Sequence, residues 1–186
     1  MYIADPGNND ASLYQRRADG SGAADRLLAS DKALAEALWS HDGRWLVVRT
    51  TLPSRDIHGF RPGVDTTLTP IVASPKFDER AATLSPDGRW IAYQSDETGR
   101  SEIYVRPFPQ ADAGRWQISS AGGEEPLWSR VGREIFFRAA SGEIPGPWPK
   151  RVLTPENDCT SPPSPSADLK SWTETSITLP TPLRSL

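Results

Sequence analysis

Few residues in this chain of 186 could do chemistry at neutral pH. His41 and His58 are its two histidines, and only imidazole has an unperturbed pKa that titrates between pH 5 and 8. Asp42 and Asp87 each sit two residues after a serine and one before a glycine. They could act as metal ligands or general bases. Asp-Gly is also turn chemistry, in which the aspartate bonds neighbouring backbone N–H groups, and that reading is preferred. Trp45 and Trp90 each follow the turn glycine by two residues and could stack a ligand, although burial against neighbouring elements better suits large aromatics. Arg44, Arg89, Arg133 and Arg106 could ring an anion; solvated strand faces, or salt bridges to Asp96, Glu97 and Glu102, are the preferred alternative. His41 falls in a turn and His58 in a predicted strand, with no constellation to join. Cys159 lies in a proline-rich stretch with no histidine nearby and reads as an inert thiol.

The motifs that would organise such residues are missing. No Gly-x-Ser-x-Gly elbow occurs, and neither His-Arg-Asp nor Asp-Phe-Gly is present. Gly20, Ser21 and Gly22 lack the third glycine of a phosphate loop, and with Asp19 they read as a turn between outer strands. The expectation is therefore no enzyme: no catalytic, cofactor-binding or metal-binding residue, and no cofactor. A formal charge of −3 argues against a nucleic-acid partner. No apolar run approaches the roughly 18 residues of a membrane helix, and the N-terminal ten residues have no signal-peptide pattern. With one cysteine, no intrachain disulfide can form, and a cytoplasmic location is the default.

What positions these residues is a repeat. Ala37–Arg49, Ala82–Gln94 and Pro126–Arg138 align with one another, and their serines at 40, 85 and 129 are 45 and 44 residues apart. A second set, Leu13, Ile57 and Ile103, recurs at 44 and 46. A period near 40–45 belongs to the four-stranded blade of a β-propeller. Within one unit, Thr83–Ser85 and Trp90–Tyr93 flank the turn at Pro86, Asp87 and Gly88 and read as a hairpin. Ser101–Arg106 gives a third strand, ended by Pro107 and Pro109. Trp116 and Ile118, alternating with Arg115, Gln117 and Ser119, predict a fourth with one buried and one wet face.

Laid over the chain, this template predicts an all-β, partial β-propeller of about three four-stranded antiparallel blades. Residues 1–30 supply the last three strands of one blade, 33–73 a second, 80–119 a third and 124–140 the opening hairpin of a fourth. Residues 31–36 also hold good helix formers, and a helical turn there is the minor alternative. Residues 1–142 form the repeat domain. The stretch 143–186 carries nine prolines among 44 residues, interleaved with Ser and Thr, and reads as an extended or disordered tail. About three blades fall short of the usual four to eight, so a fragment of a larger propeller is expected, with self-association through open blade faces as the alternative.

The stretch Leu84–Ser119 resembles the TolB-like, WD-repeat-like propeller family, and the resemblance extends over roughly residues 10–142. Tyr104–Pro109 and Gly114–Ser119 are similar to the subset fused downstream of bacterial serine/threonine protein kinases. His41 and Arg130 stand where the Ser-Pro-Asp-Gly turn has proline, and Val131 where it has aspartate, so the fourth hairpin is degenerate. The resemblance implies a non-catalytic binding or sensor module whose loops meet a protein or small ligand, carried within a kinase-type signalling protein. The alternatives are the propeller gate of a prolyl-oligopeptidase-like hydrolase and a truncated product without independent function.

Overall fold

The structure, a computed structural model, describes residues 1–4, 11–51, 54–131 and 134–139. They form four antiparallel sheets in chain order. The first holds β1 (Tyr2–Ala4), β2 (Ala11–Gln15) and β3 (Asp25–Ser30). β4 (Leu34–Trp39), β5 (Leu46–Thr50), β6 (Ile57–Phe60) and β7 (Thr69–Val72) make the second. The third holds β8 (Glu79–Leu84), β9 (Trp90–Ser95), β10 (Glu102–Pro107) and β11 (Trp116–Gln117), and the fourth is the hairpin of β12 (Glu124–Trp128) and β13 (Ile135–Arg138). Each sheet is a simple meander, so the chain is a partial β-propeller whose blades fall where the repeat places them.

The sheets stack face to face because strand residues alternate between two apolar sides. On β5, Leu46 and Val48 pack with Ala11, Leu13 and Leu28 of the first blade, while Val47 between them packs with Leu84, Ile91 and Tyr104 of the third. The third blade repeats the pattern. Ile91 and Tyr93 face the second blade, whereas Ala92 and Val105 join Trp128 and Ile135 of the fourth. Each such aliphatic side chain contributes roughly 1.5–3 kcal/mol on full burial, so the inter-blade seams carry the core.

The serine repeat explains the hairpins. Trp45 N–H donates to Ser40 Oγ at 2.9 Å, the Ser40 hydroxyl donates to Asp42 Oδ1 at 2.6 Å, and Arg44 N–H donates to the same oxygen at 3.0 Å. Forty-five residues on, Trp90, Ser85, Asp87 and Arg89 make the same network at 3.0, 2.5 and 3.1 Å. Gly43 (φ +68°) and Gly88 (φ +71°) take the left-handed conformation that closes each turn. In the fourth blade Ser129 N–H still bonds Glu134 O at 2.8 Å. With Val131 in place of the aspartate, however, the buried Ser129 Oγ has no partner among the described residues.

Some expectations need correction. Residues 31–33 are bend and coil, and β4 pairs with β5 from Leu34 onward, so the helical turn at 31–36 does not form. Burial of Leu34 against the first blade overrides local helix propensity. The two-faced strand expected at 115–119 is also wrong. Trp116, Gln117 and Ile118 are all half-buried, and Ser119 is buried because its hydroxyl bonds Glu102. The tail from 143, with Cys159, lies outside the described residues, as does Arg133. No helix among the described residues is long and apolar enough to cross a membrane.

Candidate functional site

The residues singled out for chemistry are largely occupied in structure. Ser40 and the Arg44 amide hold the Asp42 carboxyl below the usual carboxylate range. Burial raises Asp87, but Ser85 and Arg89 outweigh it and leave the group lowered. Both are acceptors within their own turns. Asp19 closes the β2–β3 loop in the same way, accepting from Ser21 N–H at 2.9 Å and Ser21 Oγ at 2.7 Å. Trp45 meets Phe108 across a blade seam, and Trp90 meets Trp116 edge-on, with centroids 5.5 Å apart.

Arg44, Arg89 and Arg106, the described members of the expected set, each have a partner of their own, and those partners differ from the ones expected. Arg44 pairs with Asp42 at 3.7 Å and Arg89 with Asp87 at 2.9 Å, both within turns rather than on strand faces. Arg106 donates to Tyr93 Oη at 2.9 Å and lies 3.9 Å from Asp112. Asp96 instead receives the Asp78 amide, Glu97 pairs with Arg115 and Glu102 with Arg100. His41 is exposed in its turn. His58 is buried on β6, where Lys32 Nζ stands 3.3 Å from Nε2. Burial and the Lys32 charge depress its pKa, so it is neutral at pH 7. Among the described residues no group of three or more His, Cys, Asp or Glu could hold a metal.

A different set of residues is brought together. Nine positions after each repeated serine stand Arg49, Gln94 and Arg138, on the second strand of each blade. Each lies directly opposite a polar residue of the first strand: Glu36, Arg80 and Glu124. Arg49 Nη2 donates to Glu36 at 3.0 Å, and Arg138 Nη2 to Glu124 at 2.7 Å and Glu125 at 3.3 Å. With its amide oxygen turned to the donors, Gln94 accepts from Arg80 Nε at 3.1 Å and from the Ser101 hydroxyl at 2.8 Å.

The first strand is the edge of its sheet, and in a propeller it borders the central channel. The row is wet at Glu36, Arg138 and Glu125, whose side chains are 54%, 59% and 66% exposed, while Arg49 is only 15% exposed and Gln94 is buried. Beside it the backbone breaks register in all three blades. Ala81 (φ +51°) and Glu125 (φ +53°), each four residues before the repeated serine, adopt left-handed conformations without being glycine. Such positions cost of the order of 1–3 kcal/mol and cluster where a backbone is aimed for a purpose.

A second recurring pair was also hidden in the sequence. Asp56 and Glu102, each preceding a repeated isoleucine, reach over to the connector entering the next blade. Asp56 accepts from Ser74 N–H at 3.2 Å, and Glu102 from Gly122 N–H at 3.0 Å. Glu102, fully buried, also takes the Ser119 hydroxyl and Arg100 Nε, the latter at 2.7 Å. These are latches between blades. Their signal was an acid at spacing 46; that of the charged row was three polar residues at spacings 45 and 44.

No family model matches the sequence, and no curated protein matches it. Solved structures do. TolB of Acinetobacter baumannii aligns over 75% of this chain and 35% of its own at 15% identity, with a TM-score of 0.57. A protein of Agrobacterium tumefaciens provisionally named TolB aligns over 73% and 48% at 20% identity, also at 0.57. One of Bacteroides uniformis provisionally named a 6-phosphogluconolactonase aligns over 75% and 43% at 14% identity, at 0.50. The chain thus spans between a third and a half of the solved proteins it matches. At these identities the likeness shows the fold alone, a TolB-like β-propeller.

Proposed function

We propose that this chain is the propeller portion of a non-catalytic binding or sensor module, and that it engages its ligand along the charged row at the first strands of the second to fourth blades. One observation carries this reading: a polar cross-strand pair recurs at the same place in three blades, acid–base in the second and fourth and Arg80 with Gln94 in the third, next to non-glycine residues held at positive φ in the third and fourth. An extended peptide suits such a surface, because it offers both charge signs and backbone groups to an edge strand. The similarity of Tyr104–Pro109 and Gly114–Ser119 to propellers fused to bacterial serine/threonine kinases supports placing the module in a signalling protein of that type.

The test is a thermal-shift screen of the full chain against extended peptides and small metabolites. A true ligand raises the melting temperature saturably, by mass action on the folded state, equivalent to about 2.7 kcal/mol at a hundredfold excess over Kd. A panel in which no peptide shifts the transition overturns the assignment. For the kinase association, an in-frame kinase domain upstream in the encoding locus is the expected finding, and a locus without one contradicts it.

A further inference from the structure

The charged row is balanced in two blades and unbalanced in one. Arg49 of the second blade is neutralised by Glu36, and Arg138 of the fourth by Glu124 and Glu125. In the third blade the first strand supplies the cation, Arg80, and the residue opposite is the neutral Gln94. Arg80 Nε donates to the Gln94 amide oxygen at 3.1 Å, and Nη2 to that oxygen and to Ser101 Oγ, both at 3.3 Å. The Ser101 hydroxyl donates to Gln94 in turn, at 2.8 Å. Both partners are uncharged, and Arg80 forms no ion pair with a carboxylate among the described residues. A guanidinium carries five N–H donors in a fixed fork. The two on Nη1 have no partner among the described residues. Arg80 is half-buried, next to Ala81 with its φ of +51°.

We infer, on the premise that this row is the recognition surface, that Arg80 anchors a carboxylate of the ligand, and that the bound peptide carries an acidic residue flanked by basic ones. A guanidinium already oriented by neutral acceptors keeps its whole charge for a partner, so a carboxylate reaching Nη1 gains a charge-assisted bond with little further ordering. A half-buried cation without a counter-ion is otherwise a cost that the ligand offsets. The neighbouring positions present the opposite sign. On the second blade Glu36 is 54% exposed while its partner Arg49 is 15% exposed, so the acid is the group offered to solvent. On the fourth, two glutamates share one arginine, and Glu125 is 66% exposed. Glu125 N lies 3.3 Å from the Gln94 side-chain amide, which puts those acids directly beside the Arg80 position. Complementarity along the row therefore selects positive, negative, positive and opposes the reverse order.

Fluorescence anisotropy of labelled extended peptides with the full chain decides the matter. The probes are a peptide with one glutamate between two lysines, the same peptide with glutamine for the glutamate, and the charge-reversed peptide with one lysine between two glutamates. The glutamate peptide is expected to bind the wild type roughly tenfold or more tighter than the glutamine peptide, the scale of one hydrogen bond to a charged group, and the reversed peptide most weakly. In Arg80→Gln the gap between the first two peptides is expected to close. Equal affinity of the wild type for all three peptides overturns the carboxylate anchor alone and leaves the row as a peptide surface. A gap that persists in Arg80→Gln moves the anchor to another residue and overturns it too. Binding by none of the three overturns the anchor together with the reading of the row on which it rests. If Arg80→Gln does not fold, the wild-type comparison of the glutamate and glutamine peptides decides by itself.

Discussion

Trp45 of the second blade meets Phe108 of the third edge-on, with ring centroids 5.6 Å apart and planes at 74°. The contact spans one seam and is hemmed in from behind. A Cβ on Gly59 would lie 2.9 Å from the Trp45 ring, and the Arg61 guanidinium lies 5.0 Å from its centroid. The tryptophan after each turn glycine thus serves the seam ahead of its own blade.

Trp45→Ala and Phe108→Ala should each lower stability by about 2–4 kcal/mol, the scale of large aromatic truncations in part-buried to buried sites. In a double-mutant cycle followed by urea unfolding, the pair should show coupling of about 0.5–1.5 kcal/mol. Strict additivity would argue against packing across the seam.

The hairpin turns make a reciprocal prediction. Asp87→Ala removes the acceptor of the Ser85 hydroxyl and the Arg89 amide, and should cost about 1 kcal/mol. Val131→Asp gives the orphaned Ser129 hydroxyl a partner and removes a residue 73% exposed, so it should stabilise by a similar amount. Because Asp87 is lowered in the folded state, its contribution is present above the ordinary aspartate value and lost as acid titrates it. Melting curves of Asp87→Asn below pH 4 should show a shallower acid limb than the wild type.

Latch and row should respond differently to truncation. Glu102→Ala leaves Arg100, Ser119 and Gly122 without a buried acceptor and should cost about 3–5 kcal/mol. Glu36→Ala breaks a half-exposed pair, Glu36 being 54% and Arg49 15% exposed, and should cost less than the Glu102 change. Comparable losses in denaturant titrations would show that the row is structural rather than a recognition surface.

His58 sets the acid side of the stability curve. Its folded pKa is depressed by burial and by Lys32, so the unfolded chain takes up a proton first as pH drops below about 6.5. Stability is complete above that value and falls below it. His58→Gln should flatten the melting profile between pH 7 and 5, and an unchanged slope would place the titration elsewhere.

The sequence carried the blade plan because turn chemistry and strand periodicity are local. Ser40, Asp42 and Gly43 announce a hairpin whatever surrounds them, and the 44–46 residue spacing then places every sheet. Where local propensity and packing disagreed, at Leu34, packing won, and only the repeat hinted at that result. Ser119 was misplaced for a related reason: its burial depends on Glu102, 17 residues away, rather than on its neighbours. The charged row was in plain view but unread, because Arg49, Gln94 and Arg138 differ in chemistry and share only a register position.

Whether the charged row is the recognition surface is read most directly from the ligand-induced melting shift of the wild type beside that of an Arg80→Ala, Arg138→Ala double variant. The expected result is a saturable rise for the wild type with an extended peptide, lost in the variant while the unliganded transitions stay within a few degrees of each other. An equal rise in both proteins would place recognition elsewhere on the propeller and contradict the proposed site.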